Sequence, residues 1–188
     1  MPGTSLAGRL LVATPLLGGP NFERTVILLL THSEEDGAFG VVLNRASETE
    51  VLELVPRWST HAAEPGLMFI GGPVGASAVV AVGVADGEPP QDSAGWLTVA
   101  GRLGTVDLNL DPTDLSLDLA GVRLFAGSAG WMAGQLEGEI ADQAWWVLPS
   151  HPEDVLTPEP AGLWRLVLRR QAAPISWFAV FPPDPLVN

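Results

Sequence analysis

The chain has no cysteine, no lysine and no tyrosine, and its strong cations are nine arginines set against 22 aspartates and glutamates, a net charge of −13. Without cysteine there is no disulfide framework, no thiolate metal site and no thiol nucleophile. The acidic balance disfavours direct DNA binding, because DNA affinity comes largely from cations that neutralise phosphates. Arg165, Arg169 and Arg170 form the one basic cluster. Long apolar runs are missing too: Val26 to Leu30 and Ala76 to Ala85 fall well short of the ~20 residues that a membrane helix needs. Leu10 to Leu17 is interrupted by Pro15 and lacks a basic lead, so it does not read as a signal peptide. The expectation is a cytoplasmic protein with no membrane attachment.

What is present is apolar material in short pieces. With 188 residues, 47% of them hydrophobic, the chain can bury roughly 70% of the surface that its unfolded form exposes, and one domain over residues 1–188 is expected. Leu10 to Ala13, Thr25 to Thr31 and Phe39 to Leu43 read as buried strands, and Asp36-Gly37 is a tight-turn signal that pairs the second with the third in a hairpin. Further strands are expected at 67–70, 79–84, 96–99, 106–110, 122–125 and 145–148. Helices are expected from Glu50 to Trp58, from the Asp111-Pro112 cap to about Leu119, from Trp131 to Ile140 with Met132, Leu136 and Ile140 on one stripe, and from Gly162 to Arg170. Hairpin turns are as frequent as helical crossovers, which favours an α+β fold over a doubly wound parallel sheet. Five of the seven tryptophans, Trp96, Trp145, Trp146, Trp164 and Trp177, sit in apolar segments and read as core.

The segment ATPLLGGPNFERTVILLLTHSEEDGAFGVVLNRAS at 13–47 is followed in order by GLMFIGGPV at 66–74, VRLFAGSAGWMAGQLEGEI at 122–140, AWWVLPSHPEDVL from 144 and FPPDPLVN at 181–188. This set resembles the YqgE/AlgH family and spans almost the whole chain. The resemblance implies a bifurcated, mostly antiparallel sheet folded into a pseudo-barrel with flanking helices. It implies no known reaction and no catalytic residues, although some members have been linked to regulation of transcription. Two positions depart from the family pattern: Ser128 stands where Tyr is usual, and Ala46 stands where Pro commonly follows Asn44 and Arg45.

Four constellations carry the chemistry that the sequence offers. AGSAG at 126–130, between an expected strand and an expected helix, has the context of a nucleophile elbow, with Asp142 and His151 following in hydrolase order. Ala126 replaces its first glycine, so the competing reading is a plain strand-to-helix turn. Asp107, Asn109, Asp111 and Asp118 partly match a calcium loop, but Pro112 occupies the position that needs Gly and Asp118 replaces the bidentate Glu. His32, His61 and His151 are too scattered for a local zinc motif, so neither metal nor cofactor is expected. In the densest signature block, Asn21, Arg24, His32, Asn44 and Arg45 could hold a phosphate or carboxylate, or could be a turn cap, ion-pair partners of acids such as Glu23 and Glu48, and a strand-end hydrogen bond. Trp131, Gln135 and Glu139 recur at four-residue spacing and suggest a protein interface. The favoured reading is a non-enzymatic binding or regulatory protein that acts through a protein partner or a small anionic ligand. The alternative is a small hydrolase-like enzyme using Ser128 or the group around Arg24.

Overall fold

The computed structural model describes residues 5–182. Strands β1 (Arg9–Ala13), β2 (Val26–Ser33), β3 (Gly37–Val42), β6 (Val74–Ala85), β7 (Trp96–Ala100), β8 (Leu103–Val106), β9 (Leu119–Trp131) and β10 (Trp145–Pro149) hydrogen-bond in the order β10-β1-β2-β3-β9-β6-β8-β7. Two further strands, β4 (Ala46–Glu50) and β5 (Leu67–Ile70), pair with each other, and β5 runs parallel to β9. The remaining strand pairs are antiparallel. The β2–β3 hairpin forms where Asp36-Gly37 placed it, with Ser33 opposite Gly37.

Strand β9 is the point of bifurcation. Its end, Ala129–Trp131, pairs with β3, while Phe125 and Ala126 pair with β5 and the stretch from Leu119 to Ala126 pairs with β6. Two glycines let three backbones meet there. A Cβ on Gly72 would stand 2.2 Å from the Ser128 carbonyl oxygen, and one on Gly127, at φ 74°, would stand 2.7 Å from the Gly72 oxygen, distances that no side chain tolerates. The sheet then curls into a half-barrel, so that Val99 of β7 packs in the same core as Leu10 and Val12 of β1.

Helices close the open faces. Inside the curl, α3 (Pro152–Leu156) and α4 (Leu163–Arg169) bury Val155, Leu163, Trp164, Val167 and Leu168 against Leu10, Val12, Leu28 and Phe125. On the opposite face of β1 and β2, α2 (Gln135–Ala141) buries Leu136 against Leu11, Ile27 and Leu29. A third cluster gathers Trp58, Met68, Val122 and Leu124 under α1 (Val51–Leu54) and the 3-10 turn Pro56–His61. Among the described residues no helix is long and apolar enough to cross a membrane. The architecture is α+β, a mostly antiparallel curled sheet with flanking helices.

Five expectations need correction. The helix expected from Glu50 to Trp58 stops at Leu54, because Val55 leaves the helical conformation and Pro56 opens a separate 3-10 turn, Pro56–His61. The helix expected over 131–140 starts only at Gln135, because Trp131 ends β9 and Gly134 adopts a left-handed φ of 74° that breaks the run. Met132 is consequently 77% exposed, and only Leu136 and Ile140 of the stripe face the core. The cap at Asp111 forms as expected, its side chain accepting from the Thr113 N–H, but it starts a 3-10 turn, Pro112–Asp114, and not a helix. Leu115, Leu117 and Leu119 alternate with Ser116 and Asp118, and this period-two pattern prevails over the cap signal. The strand expected at 106–110 ends at Val106, where Asp107 accepts from the Asn109 N–H and turns the chain. Finally, Trp177 is 65% exposed and not core.

Candidate ligand-binding site

Arg24 lies in the connection between β1 and β2 with a left-handed φ of 51°, a conformation uncommon for a residue with a Cβ. Asn44 holds it there. The Asn44 side chain donates through Nδ2 to the Arg24 carbonyl at 2.8 Å and accepts at Oδ1 from the Val26 N–H at 2.9 Å, so one amide spans the ends of β2 and β3. The fixed backbone directs the Arg24 guanidinium over the Trp164 ring, 4.9 Å from its centroid, a cation–π contact. Trp164 is itself locked, buried in α4 with its indole N–H donating to the Ala13 carbonyl at 2.9 Å.

A second cation reaches the same place from α4. Arg24 Nη2 and Arg165 Nη2 both donate to the Phe181 carbonyl, at 3.4 and 3.1 Å, and Arg24 also donates to the Pro182 carbonyl. Two guanidinia thus converge on one oxygen at the rim of a cleft of about 330 Å³ lined by Thr14, Pro15, Glu23, Arg24, Trp164 and Phe181 among others. Burial lowers the Arg45 guanidinium from its ordinary pKa, while the neighbouring Glu23 carboxylate pulls it back up. Glu23 thus lies within electrostatic reach of Arg45, and Arg24 makes its hydrogen bonds to neutral carbonyl oxygens among the described residues.

The group read from the densest sequence block is accordingly divided. Arg24 and Asn44 share hydrogen bonds, and Arg45 lies within electrostatic reach of Glu23. Asn21 is exposed nearby in the chain. His32 sits at the other end of β2, eight residues from Arg24 and roughly 20 Å from Val26 at the rise of an extended strand. It accepts at Nδ1 from the Leu6 N–H at 3.1 Å, so its ring proton is on Nε2, which donates to Glu137 Oε1 at 2.8 Å. His32 ties the strand end to α2. Glu137 is held below its ordinary pKa by its own backbone N–H first and by His32 second.

Trp131, Gln135 and Glu139 do come together, but not as one helical face, since Trp131 belongs to β9. Glu139 Oε2 accepts the indole N–H groups of Trp131 and Trp145, each at 2.8 Å, and Oε1 accepts from Gln135 at 2.9 Å. Trp131 and Trp145 are buried and meet edge to face, their centroids 6.1 Å apart. Ser128 lies within β9, opposite Val74, and is 8% exposed. There is no strand-to-helix turn at Ser128, and the elbow geometry expected of AGSAG is corrected to a continuous strand. Among the described residues no group of three or more His, Cys, Asp or Glu is placed to hold a metal ion.

The sequence reading missed Arg165 and Arg123. Arg165 stood out only as part of a basic cluster, and nothing in its spacing links it to Arg24. Arg123 is 2% exposed in the core, its Cζ 4.2 Å from the Phe69 centroid, and it donates to the carbonyls of Glu64 and Thr157 at 2.9 Å each. Burial pushes its pKa down to about 10. A charge inside the apolar run VRLF was the available signal.

A mixed half-barrel with two arginines converging at a cleft beside its first strand is the class that these features define. The AlgH-like family model matches residues 10–176. A UPF0301 protein of Streptomyces avermitilis is 48% identical over 98% of this chain and 96% of its own length, and one of Mycobacterium tuberculosis is 48% identical over 95% and 88%. The crystal structure of DIP2367 from Corynebacterium diphtheriae superposes with a TM-score of 0.87 at 36% identity, covering 96% of this chain and 95% of that one. The solution structure of AlgH from Pseudomonas aeruginosa gives 0.68 at 27% identity, covering 98% of both. The chain belongs to the YqgE/AlgH family.

Proposed function

We propose that this is a non-enzymatic cytoplasmic binding protein whose ligand presents an anionic group to Arg24 and Arg165. The observation that carries the reading is the convergence of two guanidinia on a single oxygen, in a chain of net charge −13. An isolated cationic spot in an acidic field concentrates anions locally. An anion at the Phe181 carbonyl position would also replace a neutral acceptor by a charged one, adding the attraction of opposite charges to the guanidinium hydrogen bonds. A regulatory output passed on through a protein partner needs no contact with DNA, in keeping with the acidic charge. The test is to titrate the protein with acetate and with inorganic phosphate while following backbone amide and indole NMR signals. Saturable shifts centred on Arg24, Trp164 and Phe181, lost in Arg24→Gln and in Arg165→Gln, are expected. Absence of saturation, or shifts retained in both variants, overturns the reading.

A further inference from the structure

The Arg24 cleft shares Thr14 and Pro15 with a second, larger cleft of about 540 Å³, whose walls include Leu16, Ile140, Trp145, Trp146 and Phe178. No charged side chain lines this second cleft, and two of its polar groups are already engaged, while the Gln143 amide and the Trp146 indole N–H line it without a hydrogen-bond partner among the described residues. The Thr14 hydroxyl donates to the Gln143 carbonyl at 2.7 Å, and the Trp145 indole N–H is taken by Glu139. Phe178 and Phe181 stack with centroids 5.4 Å apart, so one turn of chain, Ile175–Val180 and the residue after it, borders both clefts. The arrangement is a cationic end joined to a hydrocarbon trough, with Leu16 74% exposed at the rim. Both volumes lie in the range of small-molecule sites.

We infer that the ligand is an amphipathic monocarboxylate, with its carboxylate held at Arg24 and a linear apolar chain crossing Thr14 and Pro15 into the trough walled by Trp145, Trp146 and Phe178. The inference rests on the anion-binding reading above and adds the chemistry of the rest of the ligand. A single negative charge suits the site better than a phosphate dianion, because Glu23 lines the same cleft as Arg24 and repels the second charge. A flexible chain suits it better than a rigid ring system, because Pro15 stands between the two volumes. The walls are mostly carbon, with the Gln143 amide and the Trp146 indole N–H as the polar groups not already engaged, which disfavours a largely polar body: each unpaired polar group that a ligand buried there would weaken binding.

The test uses the full chain and a series of acetate, hexanoate, octanoate and decanoate, with 1-decanol as the uncharged counterpart, followed by calorimetry or tryptophan fluorescence. Each methylene added between hexanoate and decanoate should tighten binding about fourfold, the equivalent of about 0.8 kcal/mol of apolar burial. Decanol should bind at least tenfold more weakly than decanoate. Arg24→Gln should bring decanoate to the level of decanol and leave decanol unchanged, whereas Arg57→Gln, the same charge change in the turn Pro56–His61, should alter neither. Leu16→Ser, at an exposed position, should weaken decanoate and not acetate. Acetate bound at Arg24 with no dependence on chain length overturns this inference and leaves the anion site standing. Decanol binding as tightly as decanoate, or no binding by any member of the series, overturns this inference, and the anion site then stands or falls on the inorganic phosphate titration above.

Discussion

Removal of the Glu139 carboxylate separates a structural network from a free interface. In the fold, Glu139 accepts from two buried indoles and from Gln135. Glu139→Ala leaves the N–H groups of Trp131 and Trp145, which are 6% and 3% exposed, without an acceptor. An orphaned buried donor costs about 1–3 kcal/mol. Glu139 is only half-buried, so water reaches part of the site and the lower part of that range applies to each indole, giving about 2–4 kcal/mol in all. For a chain of this size each kcal/mol lowers the midpoint by roughly 2–4 °C, so a fall of about 4–16 °C is expected. Glu139→Gln keeps one oxygen acceptor and should lose less than the alanine variant. Urea unfolding followed by tryptophan fluorescence gives the difference directly, with exposed Glu153→Ala as control and an unchanged slope showing that the unfolded state is the same. If Glu139→Ala unfolds within about 0.5 kcal/mol of the control, the indoles are solvated and the reasoning fails; the three residues would then be open to a partner.

Leu136→Ala should cost about 2–5 kcal/mol, as buried leucines do, while Met132→Ala should stay within about 0.5 kcal/mol; equal losses in denaturant titrations would contradict the start of α2 at Gln135. The Glu137 carboxylate has a folded pKa lowered from its ordinary 4.5, so its contribution is fully present above that value and is lost as pH falls through the depressed folded value. The stability gap between wild type and Glu137→Gln should therefore be constant from pH 7 to about 5 and shrink below pH 4.5; a gap that widens on acidification would refute the assignment. Ser128, inside a strand, should remain unlabelled by a fluorophosphonate probe, and stoichiometric labelling lost in Ser128→Ala would restore the hydrolase reading.

The strands were legible where apolar runs met turn chemistry: β1, the β2–β3 hairpin, β5 and β10 all fall within about two residues of their sequence limits. Strand β9 was harder. Both of its faces are buried, with Val122 and Leu124 against one cluster and Phe125 against another, so alternation gives no signal and its glycine-rich half, AGSAG, reads as a turn. Strand β4, ASETE, carries no apolar pattern because it borders the sheet and pairs only with β5. For the site, local order was visible and convergence was not. Asn44 and Arg24 are 20 residues apart and meet because β2 and β3 form a hairpin. Arg165 meets Arg24 only because α4 folds back across β1, which no local spacing encodes. Residue type pointed to an anion, and tertiary packing chose which arginine joins Arg24.

The most direct measurement of that choice is a double-mutant cycle on Arg24 and Arg165, read as the dissociation constant of whichever of acetate and inorganic phosphate binds the wild-type chain more tightly. Convergence on one oxygen predicts that Arg24→Gln and Arg165→Gln each weaken binding by about tenfold or more, and that the double variant departs from the sum by at least about 0.5 kcal/mol. Losses that add within about 0.3 kcal/mol, or an Arg165→Gln variant that binds as wild type, would contradict it.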